Sequence, residues 1–239
     1  MVLNDKEVLN FFREKLSEND LVVSDDRLEK FVLYMRNLQD WNSRINLTAI
    51  KYDREIIVKH FVDSILISKY IDGECVIDIG AGAGFPGIPL KIFDDSLKVT
   101  LLDAVNKKVL FMNDSIDKLA LENIVALHGR AEDYAHNVKY RECFDVATSR
   151  AVANMSTLVE YMLPFVKVGG KCFCMKGPNS EEEINEAKVA IDRLGGRIEK
   201  VVNYSVDDNE RCLVIIDKVK KTEQTYPRNQ GKPLKNPIR

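Results

Sequence analysis

The segment Val76-Ile77-Asp78-Ile79-Gly80-Ala81-Gly82-Ala83-Gly84-Phe85-Pro86-Gly87 constrains this chain more than any other. A short apolar run of strand length enters a cluster of four glycines, then an apolar segment of helical length, Ile88 to Phe93. Glycine lets a backbone turn sharply and approach a ligand with no Cβ in the way. A strand, a glycine-rich turn and a helix start together make a nucleotide or nucleoside site.

Two glycine registers compete. Read as G-x-G-x-G, the motif is Gly80, Gly82 and Gly84, directly after Ile79. The dinucleotide fingerprint G-x-G-x-x-G fits only from Gly82 through Gly84 to Gly87, late for a strand ending at Ile79, and from Gly80 it fails because position 85 is Phe. The first register suits S-adenosylmethionine, whose methionine part has no pyrophosphate needing a helix N-terminus. Asp78 agrees. A carboxylate at the end of the first strand can hold a cofactor ammonium, directly or through water, and would repel a pyrophosphate. Val99-Thr100-Leu101-Leu102-Asp103 reads as the next strand, and Asp103 falls 103 − 80 = 23 residues after the first glycine. A carboxylate there can accept both ribose hydroxyls, a role shared by adenosyl cofactors and NAD. The bland alternatives are a plain tight turn for the loop and a strand cap for Asp103; the pattern favours a cofactor site at both.

The chain has 239 residues, 45% hydrophobic and 30% charged, ordinary for a soluble globular protein of one large domain or one domain plus an extension. No apolar run approaches the roughly 18 residues that span a bilayer, and residues 1–5 carry no signal-peptide pattern. Five cysteines (Cys75, Cys143, Cys172, Cys174, Cys212) with no C-x-x-C pair argue against a disulfide framework or zinc site. A reducing cytoplasm is the expected compartment, with no membrane association and no metal. The net charge of −2 hides an asymmetry: residues 1–30 carry eight acids against five bases, residues 218–239 seven bases against one acid. A local charge near +6 attracts phosphates; a solubilising tail is the equal alternative.

Residues 1–70 read as helical. Asn4-Asp5-Lys6-Glu7 resembles a capping box, Ser24 is placed to cap a second helix, and Leu28, Phe31, Val32, Met35 and Leu38 form its apolar stripe. A third helix is expected from Arg54 to about Tyr70. From Cys75 strands alternate with helices: strands at 75–79, 98–103, 124–128, 144–148, 171–176, 198–204 and 212–218, helices at 86–93, 106–119, 156–163 and 180–194. The alternation predicts an α/β fold, a mostly parallel sheet covered on both faces. A polar loop at 205–211 between the last two strands predicts a terminal hairpin. Seven strands ending in a hairpin describe the Rossmann-like class I S-adenosylmethionine-dependent methyltransferase architecture. The expected organisation is a helical extension over 1–70 packed on a catalytic domain over 71–221, then a basic tail over 222–239, extended by Pro227, Pro233 and Pro237.

Across nearly its whole length the chain resembles the ribosomal RNA small-subunit methyltransferase G family, also called glucose-inhibited division protein B. The matching segments run Trp41-Asn42-Ser43-Arg44-Ile45-Asn46-Leu47-Thr48, His60-Phe61-Val62-Asp63-Ser64, Asp78 to Pro89, and Asp103-Ala104-Val105-Asn106-Lys107-Lys108. They continue through Arg130-Ala131-Glu132, Ser149-Arg150-Ala151-Val152-Ala153, and Tyr226-Pro227-Arg228 with Gly231-Lys232-Pro233. The resemblance implies S-adenosylmethionine-dependent methylation of guanine N7 in 16S rRNA, at guanine-527 of the 530 loop. It implies cofactor contacts at Gly80, Phe85, Asp103, Ala104, Val105, Ala131, Glu132 and Arg150, joined to Asp78, Gly82 and Gly84 from the loop. Gly80 would take the methionine portion, Asp103 the ribose, and Ala131 with Glu132 the adenine. A monomer acting on 16S rRNA or a small-subunit precursor, and not on DNA, is expected.

Amino-group methyltransferases often carry Asn/Asp-Pro-Pro-aromatic after the fourth strand; this chain has Thr148-Ser149-Arg150-Ala151. The N7 lone pair lies in the ring plane and needs no prior deprotonation, so no general base is expected. Arg150 is the leading catalytic candidate, positioning the guanine through O6; pairing with Asp103 or the cofactor carboxylate is the even alternative. RNA contacts are expected at Lys107, Lys108, Arg130, Lys176, Arg228, Lys232 and Lys235. His60 is either a structural hydrogen-bonding residue, the favoured reading, or site-facing. Trp41 either stacks on a base or, more in keeping with its apolar stripe, is core. Arg44 and Asn46 face the cleft or cap a helix. The rival readings are a methyltransferase of another RNA or a small molecule, an NAD-dependent oxidoreductase, and an RNA-binding factor with a vestigial pocket.

Overall fold

The computed structural model describes residues 3–239. Among them, seven strands form one sheet: β1 (Cys75–Ile79), β2 (Lys98–Asp103), β3 (Ile124–His128), β4 (Phe144–Arg150), β5 (Val166–Lys176), β6 (Gly196–Val206) and β7 (Asn209–Lys218). The order is β3-β2-β1-β4-β5-β7-β6. β1 to β5 run parallel, and β7 is antiparallel to both β5 and β6. The chain leaves β1 for β2 on one side and returns to β4 on the other. The carboxyl ends of β1 and β4 therefore flank the switch point where open α/β sheets bind ligands.

The terminal hairpin is present, but its turn is Asp207-Asp208, with Asp207 at φ +51°, and not the whole of 205–211. β6 is an edge strand with mostly exposed residues, so its polar end looks like loop in the sequence. β5 starts five residues earlier than the periodicity suggests, because Gly169-Gly170 lies inside the strand beside a register shift against β4.

Helices α1 (Asp5–Glu18) and α2 (Asp25–Asn42) precede the sheet. The capping box forms: the Glu7 amide donates to Asn4 Oδ1 and the Asn4 amide to Glu7 Oε2. Ser24 makes no side-chain cap, leaving Asp25 and Asp26 to offset the helix dipole. The third helical stretch is composite: α3 (Asp53–Ile56), a π-helical turn (Ile57–Val62), α4 (Asp63–Ile65) and a 3₁₀ turn (Leu66–Tyr70). These helices share one core with the sheet. Phe12, Phe31 and Phe61 pack ring to ring, Tyr34 packs on Phe61, Phe85 and Phe111, and the Tyr34 hydroxyl donates to the Ala83 carbonyl inside the glycine loop. Trp41 sets its ring edge-on to Phe111 and donates from Nε1 to Asp114 Oδ2 at 2.7 Å, a packing role. Arg44 pairs with Asp40 and lies over the Trp41 ring.

Sheet and core are completed by α5 (Gly87–Phe93), α6 (Asn106–Lys118), α7 (Ala131–Tyr134), α8 (Met155–Met162), α9 (Glu181–Arg193) and α10 (Lys232–Lys235). No helix among the described residues is long and apolar enough to cross a membrane.

Residues 222–239 are not a free extended tail. Thr222, Pro227, Pro233 and Ile238 are buried, and α10 forms within the segment. The Arg141 guanidinium donates to the carbonyls of Thr222, Glu223 and Tyr226 at 2.8–3.0 Å. The prolines cannot donate to a ladder, but their carbonyls are used: Thr157 donates to Pro233 at 3.0 Å and the His136 ring meets Pro227 at 2.7 Å.

Candidate cofactor and target-base site

The glycine register has a backbone cause. Gly80, Gly82 and Gly84 lie at φ +68°, +64° and +84°, alternate residues in the left-handed region that side chains avoid. Gly87 serves another purpose: a Cβ there would sit 2.3 Å from Leu101 Cδ2 and 3.0 Å from Asp78 Oδ2, so its absence lets α5 close on the sheet. Around Gly82 the nearest atom to an added Cβ is the Gly80 carbonyl at 3.9 Å, whereas Gly80 is covered by Val152, 2.5 Å from that position. Both glycines are half-buried, with more room for an added side chain at Gly82 than at Gly80.

Two carboxylates hold the loop. Asp103 accepts from the Gly82 amide through Oδ2 and from the Val105 amide through Oδ1, both at 2.8 Å, tying the loop to the end of β2. Each oxygen keeps a second lone pair that a hydroxyl can reach. Lys108 approaches Asp103 at 3.9 Å, so its charge is partly used inside the fold. Asp78 is fully buried; Oδ2 accepts from the Gly87 amide at 2.9 Å and Oδ1 has no partner. Burial pushes Asp78 up to about 7, against the pull of the Gly87 amide and Arg150 and with a push from Asp103.

Ala104 and Val105 are exposed beside Asp103, and the Gly129 amide donates to the Asp103 carbonyl at 3.1 Å, so β2 and β3 end together. Ala131 is half-buried at the start of α7. Glu132 is buried and its Oε1 accepts from the Gly231 amide at 3.0 Å. Phe85 is also buried; His60 stacks on its ring at 4.4 Å, and the Arg150 guanidinium lies 5.0 Å from its centre.

Arg150 ends β4 and is held on three sides. Nη1 donates to Asp63 Oδ2 at 3.0 Å and to the Lys59 carbonyl at 3.2 Å, and Nη2 lies 3.1 Å from His60 Nδ1. Its carboxylate partner is Asp63, not Asp103. A guanidinium only donates, so His60 Nδ1 must accept and Nε2 must carry the proton. That proton points at Thr48 Oγ1, 2.9 Å away. Thr48 is placed in turn by Asn42, whose Oδ1 accepts from the Leu47 and Thr48 amides. Burial, then the Arg150 charge, push His60 down to about 3, keeping the ring neutral. His60 is thus both a hydrogen-bonding residue and part of the site. Ala151 follows at φ +58°, a strained position for a residue with a Cβ.

Sequence reasoning did not single out Asp63, Tyr204, Arg211 or Thr48. Asp63 is 1% exposed and also takes the Tyr204 hydroxyl at 3.0 Å, with Arg211 Nε at 3.5 Å. The available signal was an acid inside the apolar run from Ile57 to Ile67. His60, Asp63, Arg150, Arg211 and Lys59 line a cleft of about 310 Å³ with Ile50 and Met175. A cleft of about 630 Å³ adjoins it, sharing Arg211 and lined by Tyr204, and another of about 710 Å³ lies between Ser24–Lys30 and Lys91–Asn123.

Of the expected RNA contacts, Lys107, Arg130, Lys232 and Lys235 are exposed. Lys176 donates to the Ala153 carbonyl and to Glu183 at 2.9 and 2.6 Å and lines the same cleft as Arg150, and Arg228 sets Nε and Nη2 on the Glu160 carboxylate. Both already have an acidic partner within the fold.

Strand order, terminal hairpin and glycine register define the class: this is a Rossmann-like class I methyltransferase fold. A methyltransferase from Aquifex aeolicus described as SAM dependent superposes with a TM-score of 0.51 at 18% identity, over 67% of this chain and 92% of that one. M. jannaschii TYW2, solved in complex with AdoMet, gives 0.51 at 16% identity over 62% and 70%. The chain belongs to the rRNA small subunit methyltransferase G family, whose model matches residues 27–214. A ribosomal RNA small subunit methyltransferase G from Clostridium botulinum is 46% identical over 238 residues, covering 98% of this chain and all of the relative.

Proposed function

We propose that this protein methylates N7 of a guanine in 16S rRNA, guanine-527 of the 530 loop, using S-adenosylmethionine. The observation that carries this is Arg150: it ends β4, is locked by Asp63 and His60, stands over Phe85, and still has donors to spend. Family membership supplies the substrate class.

The cofactor fits the residues present. Asp103 would take the ribose, the half-buried backbone at Gly80 and Gly82 the approach of the cofactor, and Asp78, held on the Gly87 amide behind the loop, would act on the ammonium through its charge. When bound, S-adenosylmethionine supplies an electrophilic methyl on a sulfonium. Arg150 Nε and its remaining Nη2 hydrogen can donate to guanine O6 and set N7 in line with that methyl. N7 carries an in-plane lone pair and no proton, so a methyl passing to it from sulfur, with S-adenosylhomocysteine leaving, would need no base. His60 agrees with this: Nδ1 accepts from Arg150, Nε2 faces Thr48, and its low pKa makes it a poor base. The exposed Lys107, Arg130, Lys232 and Lys235 would contact RNA phosphates, each adding to the salt slope. We also place the protein in the cytoplasm as a monomer acting on rRNA or a small-subunit precursor, with 1–70 as an extension of the catalytic domain over 71–221.

The direct test maps N7-methylguanine by borohydride–aniline cleavage of 16S rRNA from cells with and without this protein. Cleavage at guanine-527 should vanish with the protein; persistence of the cut would sink the reading. Equilibrium binding separates the cofactor classes: S-adenosylhomocysteine should bind and NAD should not.

A further inference from the structure

We propose that residues 222–239 are a positioning strap for the cofactor site, acting through Gly231 and Glu132 on α7. The Glu132 carboxylate is thereby an anchor of that helix. The inference rests on the reading that the β2 and β3 ends hold the adenosyl part of S-adenosylmethionine.

α7 has four residues, too few to hold itself as a helix. Both of its acids are gripped by a segment about a hundred positions further along the chain. Glu132 Oε1 accepts from the Gly231 amide at 3.0 Å, and Asp133 accepts from the Gln230 side chain. Gly231 can aim its amide this way because it sits at φ +74°. Glu132 is 4% exposed, so its carboxylate faces the strap and not open space. The strap is itself fixed on either side. Upstream, Arg228 binds the fully buried Glu160 through its backbone amide, Nε and Nη2, and Arg141 gathers three carbonyls. Downstream, Thr157 holds the Pro233 carbonyl and Ile238 is buried in the core. α7 starts two residues after Gly129, whose amide bonds to the Asp103 carbonyl. The place of Ala131 beside Asp103 is therefore set from the far end of the sequence.

The test shortens the chain after Arg228, keeping the Glu160 and Arg141 contacts and removing Gln230, Gly231 and every residue beyond them. S-adenosylhomocysteine binding is measured by calorimetry, and steady-state KM is measured separately for cofactor and for 16S rRNA. Expected is a Kd for S-adenosylhomocysteine about tenfold weaker or more, with a raised cofactor KM and an unchanged kcat at saturation. A general loss of structure would lower kcat as well. The full-length Lys232→Gln/Lys235→Gln/Arg239→Gln protein carries the charge loss alone and should keep the wild-type cofactor Kd. If the shortened chain fails to fold, Gly231→Pro removes the one amide that reaches Glu132 and should weaken cofactor binding in the same direction. A folded variant of either kind with the wild-type cofactor Kd overturns the proposal, as does a defect confined to the RNA KM. A wild-type chain that binds no S-adenosylhomocysteine sinks the functional reading itself.

Discussion

Two of the arginine–carboxylate pairs that bury their acid look alike in burial and distance and differ in what lies beside them. Arg228 meets Glu160, and Arg150 meets Asp63; the acids are 0% and 1% exposed, the arginine side chains 20% and 16%. Arg228 turns Nε, Nη2 and its own backbone amide onto one carboxylate. Arg150 gives Asp63 one Nη1 donor, gives two more to the Lys59 carbonyl and to His60, and lines a cleft. Arg228 commits only Nε and Nη2 of its guanidinium, so the donor count does not set the pairs apart; the space beside them does. A pair that puts every contact on one carboxylate holds the chain together. A pair beside open space, on a residue followed by a strained backbone, can also bind something.

Breaking each pair should separate the two roles. Arg150→Ala should lower kcat by roughly 10²–10³-fold, the usual effect of deleting one aimed donor; a wild-type rate at saturating cofactor and RNA would remove Arg150 from the mechanism. Arg228→Ala should instead cost stability, about 3–5 kcal/mol, because Glu160 is left buried and unpaired. Calorimetry would show this as a lower Tm while kcat at saturation survives; an unchanged Tm would show that the pair holds nothing.

Finer substitutions sharpen the contrast. Thr48→Val removes the acceptor that fixes the His60 tautomer, so Arg150 should lose definition and kcat should fall about tenfold. Thr48→Ser should restore the rate, and a full rate in the valine variant would dissolve the relay. The smallest effect concerns pH. Asp78 is pushed up to about 7 by burial. It is neutral below that value and anionic above it, and only the anion attracts an ammonium. Affinity for S-adenosylhomocysteine should therefore rise roughly threefold from pH 6 to pH 8 and stay flat in Asp78→Asn. The charged groups facing Asp78 are Arg150 and Asp103, so the same titration in Arg150→Ala should shift the midpoint upward.

The sheet was legible because each strand carries its own apolar run and the glycine loop its own backbone demand. Arg150 was legible because it follows a strand at a position where ligands bind. Its partner was not: Asp63 lies 87 residues away on a different element, and no local pattern reports such a contact. The C-terminal segment misleads in the sequence for the same reason. Prolines and lysines describe an unfolded tail by composition, yet Arg141, in an ordinary polar stretch, satisfies its carbonyls from 81 to 85 positions away. The hairpin loop was overestimated because an edge strand has polar residues like a loop.

The π-helical turn at Ile57–Val62 carries a consequence for how this helix tolerates insertions and deletions. The Asp63 amide reaches the Val58 carbonyl, five residues back, so the turn holds one residue more than an ordinary helix would. Removing that one residue would let the helix close into regular α geometry with Asp63 near its present angle, whereas removing one from a regular turn before it would rotate Asp63 off Arg150 by about 100°. A change of one residue in length should therefore be better tolerated within the π-turn than in the regular turns beside it.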